Sequence, residues 1–142
     1  MAVPRTTVGF SLLPFGGFLG HRGLVPVSVL VVDDDQAFRE AAAELLRARG
    51  FEVAGYAGNE GQAVVAVQQL RPDAVLLDIR LPGSDGFQVA RRLSSSDDAP
   101  TILLTSSDPD IANQQLAITC GAVGFVAKGD LAGTDFKRYF SS

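Results

Sequence analysis

Residues 27–35 read VSVLVVDDD. A short apolar run rich in β-branched residues stops at three consecutive carboxylates, and that junction decides the fold. Val27–Val32 lacks the polar alternation of a half-solvated strand, as a strand buried on both faces should. Downstream, Phe38, Ala41, Ala42, Leu45 and Leu46 recur at helical spacing, with Gly50 as the stop. Phe51–Tyr56 alternates apolar with polar or small residues and predicts a second strand nearer a sheet edge. Asn59, followed three residues later by Gln62, resembles a capping box opening a helix that buries Ala63, Val67 and Leu70 and ends at Pro72. Ala74–Leu77 predicts a third strand, and Ser84 the start of a helix carrying Phe87, Ala90 and Leu93. Thr101–Leu104 is the fourth strand. Asp108-Pro109 reads as N-cap and first residue of a helix running to about Cys120, with Gly121 just past its end. Val123–Ala127 is the fifth strand. Leu131–Phe140 predicts a last, weaker helix, since Gly133 costs about 1 kcal/mol against alanine. Five strands alternating with five helices predict an α/β domain: a parallel, doubly wound sheet with right-handed crossovers and helices on both faces.

Composition agrees and excludes several classes. The 142 residues suit one domain, and 46% hydrophobic with 20% charged residues is enough apolar material for a core. A net charge of -4 argues against non-specific binding to nucleic acid or to an anionic membrane. The single cysteine, Cys120, cannot form an internal disulfide or a thiolate cluster, and a single histidine, His21, disfavours His-based metal sites and a Ser-His-Asp triad. A cytoplasmic protein is the expectation.

Residues 1–26 differ from the rest. They contain no acidic residue and only two bases, Arg5 and Arg22, so the remaining chain carries 10 basic and 16 acidic side chains. The uncharged run from Thr6 to Gly20 is 15 residues long, short of the roughly 20 that span a bilayer. Pro14, Gly16 and Gly17 interrupt it. No Ala-x-Ala site comes after it, so an irregular, loosely packed leader is expected rather than a signal peptide. The domain is expected over 27–142.

Function is read from the residues at the end of each strand, because ligands of such sheets bind beyond the strands' carboxyl ends. The first run leads into Asp33, Asp34 and Asp35, the third into Asp78, the fourth into Thr105 and Ser106, and the fifth into Lys128. Four strands thus deliver carboxylates, hydroxyls and an ammonium to one edge. Singly, each is ordinary: Asp35 is expected to cap the first helix, and a hydroxyl or lysine after a strand is a routine surface residue. Their joint position carries the inference. Clustered carboxylates stay ionised around a divalent cation, and a donor set of oxygens alone favours magnesium, or manganese, over zinc. A carboxylate there can be a nucleophile toward a phosphoryl group, with Thr105 and Lys128 placed to hold its oxygens.

VLVVDDD at 29–35, VLLDIRLPGSDGF at 75–87, TILLTSSD at 101–108 and GFVAKGD at 124–130, in this order and spacing, resemble the receiver domain of two-component response regulators. The resemblance covers Val27 to Phe140, 114 of 142 residues, including the Pro82–Gly86 loop. It implies a flavodoxin-like sheet of strand order 2-1-3-4-5. It implies Asp78 as phosphoacceptor, and a magnesium site made by Asp33, Asp34, Asp78 and the backbone carbonyl of Arg80, with Asp34 a more direct ligand than Asp33. Thr105 matches the hydroxyl that moves onto the phosphoryl group, Lys128 its ion-pairing partner, and Phe125 the aromatic switch position, where core packing is the simpler role. Gly129 comes after Lys128 where many receivers have proline, and residues 1–26 have no counterpart.

The implied partners are a histidine kinase or phosphotransfer protein upstream, and an effector protein or a second copy of the chain downstream. The implied output face is the fourth helix, fifth strand and fifth helix, with no direct contact to nucleic acid or membrane from this sequence. A receiver catalyses only its own phosphorylation and dephosphorylation, so an enzyme acting on other substrates is not expected. No effector comes after residue 142, which implies a stand-alone receiver or a piece of a longer regulator. Two rivals remain: a receiver-like interaction module that is never phosphorylated, and a phosphatase of haloacid-dehalogenase type. Asp33-x-Asp35 suits the latter, but the fourth strand lacks its acidic pair and no cap domain fits.

Overall fold

The structure is a computed structural model that describes residues 25–107 and 113–140. Strands β1 (Ser28–Val32), β2 (Glu52–Ala57), β3 (Ala74–Asp78), β4 (Thr101–Ser106) and β5 (Gly124–Ala127) form one parallel sheet of order β2-β1-β3-β4-β5. Among the described residues, helices α1 (Gln36–Ala48), α2 (Glu60–Leu70), α3 (Gly86–Leu93), α4 (Asn113–Thr119) and α5 (Phe136–Phe140) alternate with the strands. This is the doubly wound architecture and strand order expected from the sequence.

The continuous apolar runs become the central strands because both of their faces are covered. Every residue of β1 and β3 is buried. On one face Leu30, Val32, Val75 and Leu77 pack with Ala63 of α2, Val89 and Ala90 of α3 and Ala117 of α4. On the other, Val29, Val31, Leu76 and Leu103 pack with Ala42 and Leu46 of α1 and Phe136 and Phe140 of α5. Phe51 closes this second core, its ring centroid 6.1 Å from that of Phe136 and 5.9 Å from that of Phe140. At the β5 edge, Tyr139 lies so close over Gly124 that an added methyl group would sit 2.8 Å from its Cε1.

Turn chemistry sets the boundaries. Asp35 accepts from the Ala37 N–H at 3.0 Å and caps α1, as expected. Asn59 accepts from the Gln62 N–H at 2.9 Å, while the Gln62 side chain accepts from the Gly58 N–H at 2.8 Å, a capping box displaced by one residue. α2 ends at Arg71, whose φ of 46° is left-handed, just before Pro72. Gly121, with φ of 95°, lies just past α4 as expected.

Several boundaries differ from the sequence reading. α3 begins at Gly86 rather than Ser84, because Ser84–Asp85 pairs antiparallel with Arg80–Leu81 and extended Asp85 caps the helix, accepting from the Phe87 N–H at 2.9 Å. The last helix is split: a 3-10 turn over Lys128–Gly133 precedes α5. Thr134 is extended between them, its hydroxyl donating to the Asp130 carbonyl at 2.7 Å, and the Arg49 guanidinium beyond α1 holds the carbonyls of Ala132 and Thr134. On α1, Ala43 is buried and Ala41 exposed, and on α2 Val67 and Leu70 are half-buried. The Asp108-Pro109 cap and the leader, apart from Val25 and Pro26, lie outside the described residues. Among the described residues no helix is long and apolar enough to cross a membrane.

Candidate functional site

The parallel register brings the strand ends level. Asp78, the last residue of β3, pairs with Thr105 of β4, and Thr105 pairs with Val126 of β5. Asp33 comes directly after β1, its N–H donating to the Ala57 carbonyl of β2 at 2.9 Å. Asp33 and Asp78 are buried, whereas Asp34 is exposed at the mouth. One carboxylate oxygen from each of Asp33, Asp34 and Asp78 lies within 4.8 Å of the others. Lys128, the first residue after β5, reaches into this cluster: its Nζ is 2.7 Å from Asp33 Oδ2 and 3.6 Å from Asp78 Oδ2.

The two buried carboxylates are held differently. Asp33 Oδ1 accepts from the Asp35 N–H at 2.9 Å, and the Asp33 carbonyl accepts from the Arg39 guanidinium at 2.7 Å. Asp33 Oδ2 is buried and meets Lys128 as an ion pair, without the alignment of a hydrogen bond. Asp78 Oδ1 accepts from the Arg80 N–H at 3.1 Å. Burial pushes the Asp78 carboxyl up to about 6, and the neighbouring Asp33 charge pushes the same way. The Arg80 N–H and the Lys128 ammonium pull against this only in part.

These residues fit a divalent cation. The donors are oxygens from three carboxylates, two of them buried and repelling one another, and one buried oxygen lacks a hydrogen bond. Such a set suits a hard ion of the magnesium type, not a thiolate- or imidazole-seeking metal.

Thr105 is fully buried and its hydroxyl donates to the Val126 carbonyl at 2.7 Å, so it is engaged with β5 rather than with Asp78. Phe125 is buried in the core beneath α4. Every residue that sequence reasoning placed at the strand ends lies at this end of the sheet, and Asp35 is a cap as expected. Phe38 went unrecognised as a site residue. One turn beyond Asp34, its ring lies beneath the Lys128 ammonium, with Nζ 4.1 Å from the ring centroid. Helical spacing reveals that Phe38 lies near the carboxylates, but nothing in the sequence pairs it with a residue 90 positions later. Glu60 was missed too: it accepts from the Ser84 hydroxyl and the Arg92 guanidinium, each at 2.9 Å, tying α2 to the loop after Asp78 and to α3. Those bonds hold its carboxyl below the usual range.

Residues 29–132 match the family model described as the response regulator receiver domain. The DNA-binding response regulator MtrA of Mycolicibacterium smegmatis is 41% identical over 100 residues, which is 70% of this chain and 43% of MtrA. The chain therefore spans less than half the length of that relative. Among solved structures, the receiver domain of the putative response regulator NarL from Mycobacterium tuberculosis is 36% identical with a TM-score of 0.67, over 72% of this chain and 84% of that one. A putative response regulator from Chloroflexus aurantiacus is 27% identical with a TM-score of 0.74, over 82% and 99%. With the sheet order, the strand-end constellation and this match over most of the chain in agreement, the chain belongs to the response regulator receiver domains of two-component systems.

Proposed function

We propose that Asp78 accepts a phosphoryl group from a histidine kinase or phosphotransfer protein. The observation that carries this reading is the cluster at the carboxyl edge of the sheet where the buried carboxylates of Asp78 and Asp33 meet exposed Asp34 and the Lys128 ammonium. Asp33, Asp34, Asp78 and the Arg80 carbonyl would hold magnesium, which when bound neutralises charge on the phosphoryl oxygens.

The chain's own residues supply position. An Asp78 oxygen attacks the phosphorus of a phosphohistidine. The O–P bond forms as the P–N bond breaks, and the imidazole nitrogen leaves with the bonding pair and takes up a proton. The Arg80 N–H holds the other Asp78 oxygen, so the carboxylate presents one face. Lys128, already 3.6 Å from Asp78 Oδ2, exchanges its Asp33 partner for a phosphoryl oxygen. Thr105 leaves the Val126 carbonyl for the phosphoryl group, which frees a backbone acceptor on β5 and lets Phe125 repack beneath α4. The readout is the α4–β5–α5 face, whose affinity for an effector or a second copy changes with this two-state element. The output is binding rather than turnover.

The test is intact mass after incubation with magnesium and acetyl phosphate, beside Asp78→Asn. A single phosphoryl adduct in the parent, alkali-labile and absent from the variant, is expected. No adduct together with no magnesium binding would leave a phosphorylation-independent interaction module, and steady phosphate release from many donors would indicate a phosphatase.

A further inference from the structure

Lys128 is the only cation within ion-pair distance of the buried carboxylates among the described residues. It begins a 3-10 turn with no side-chain cap, and the next residue, Gly129, faces open space: an added Cβ would meet nothing within 4 Å. A lysine side chain on such a loop samples many rotamers, and ordering it is costly. Yet the ammonium is well placed, and the group that fixes it besides the carboxylates is the face of Phe38.

We propose that Phe38 is a positioning residue for phosphoryl transfer, its aromatic face holding the Lys128 ammonium over the acceptor carboxylate. This rests on the reading of Asp78 as phosphoacceptor. The choice of an aromatic partner has a chemical reason. A third carboxylate beside Nζ would compete with the incoming phosphoryl group for the ammonium and add a further negative charge next to Asp33 and Asp78. A ring face attracts the cation through its quadrupole, brings no net charge, and leaves the N–H donors to oxygen acceptors. It also shields one side of the ammonium from water; the Lys128 side chain is only 19% exposed. Phe38 is itself half-buried on α1, one turn from Asp34, so the helix that starts at the acidic run supports the ammonium as well. Arg39, the next residue, donates to the Asp33 backbone carbonyl, so neighbouring side chains of α1 hold the backbone of Asp33 and the ammonium of its ion-pair partner.

Three measurements on the full chain test this. In the proton spectrum, the Lys128 ε-methylene resonances should lie upfield in the parent through the Phe38 ring current and return toward ordinary lysine positions in Phe38→Leu. The rate of phosphorylation by acetyl phosphate at saturating magnesium should fall about three- to ten-fold in Phe38→Leu, as loss of a partly desolvated cation–π contact requires. Phe38→Tyr should restore it. Fluorination of the Phe38 ring, from one to three atoms, weakens the quadrupole at nearly constant volume and should lower the rate stepwise, a trend that packing alone does not produce. Lysine resonances at ordinary positions in the parent, or a flat fluorine series, would overturn the proposal. If the parent takes no phosphoryl group at all, the phosphoacceptor reading fails, and with it a transfer role for Phe38; the ring-current shift then reports only whether the contact exists.

Discussion

Replacing Asp78 by asparagine should make the magnesium-free protein more stable at neutral pH. Asp78 is buried beside Asp33 and its carboxyl is carried from an ordinary 3.8 to about 6 in the folded state. A raised carboxyl pKa means the folded chain holds a proton that the unfolded chain has already released. Between about pH 4 and 6 the stability therefore falls with rising pH, by at most about 1.4 kcal/mol per pH unit, and the full penalty persists above pH 6. Integrated, the ceiling is about 3 kcal/mol. Asparagine keeps an oxygen for the Arg80 N–H at 3.1 Å but gives up the attraction of Lys128 at 3.6 Å. A net gain of about 1–2 kcal/mol at pH 7 is expected, vanishing near pH 4. Urea unfolding monitored by far-ultraviolet circular dichroism, in EDTA at pH 4, 5, 6 and 7, measures this directly. Magnesium should reverse the ranking at pH 7, since the variant loses a ligand. A variant no more stable than the parent at pH 7, or a gain that does not change with pH, would refute the claim that the buried carboxylates are held at an electrostatic cost.

Magnesium at a hundred times its Kd should raise unfolding stability by about 2.7 kcal/mol in the parent; Asp34→Asn should lose most of this at the same concentration, as a thermal shift would read. Gly86→Ala should destabilise by at least about 2 kcal/mol, because an added Cβ would lie 2.2 Å from Ile79 Cα, inside the turn that closes where the Gly86 N–H meets the Ile79 carbonyl; urea midpoints measure it. Asn59→Ala, which removes the α2 cap, should cost about 1 kcal/mol in the same assay while leaving acetyl phosphate labelling unchanged.

The sheet was legible because short apolar runs such as VLVV and AVLL alternate with helical patterns and are bounded by turn residues, and the site was legible because each run stops at a chemically distinct residue. The features that escaped were set by contacts between distant segments. The pairing of Arg80–Leu81 with Ser84–Asp85 is too short to have a period, so helical spacing alone starts α3 two residues early. The break before Phe136 depends on Arg49, which lies more than 80 residues away, and on Gly133, whose cost to a helix does not by itself say where the helix breaks. Thr105 is assigned by position, but its hydroxyl's engagement with Val126 is a choice between nearby oxygens that no sequence pattern encodes. Phe38 and Leu46 look alike in a helical repeat; only the sheet's geometry sets one against a lysine and the other in the core.

The close seat of Tyr139 on Gly124 gives the protein its own optical gauge. The chain has no tryptophan and two tyrosines, so its near-ultraviolet signal comes chiefly from them. Tyr56 is exposed on β2 at one edge of the sheet, and Tyr139 leans on β5 at the other. An added quencher such as acrylamide reaches the first more readily than the second. A rearrangement of the strand that carries Phe125 and leads into Lys128 presses on one chromophore alone, and emission that resists quenching reports on that edge without any label.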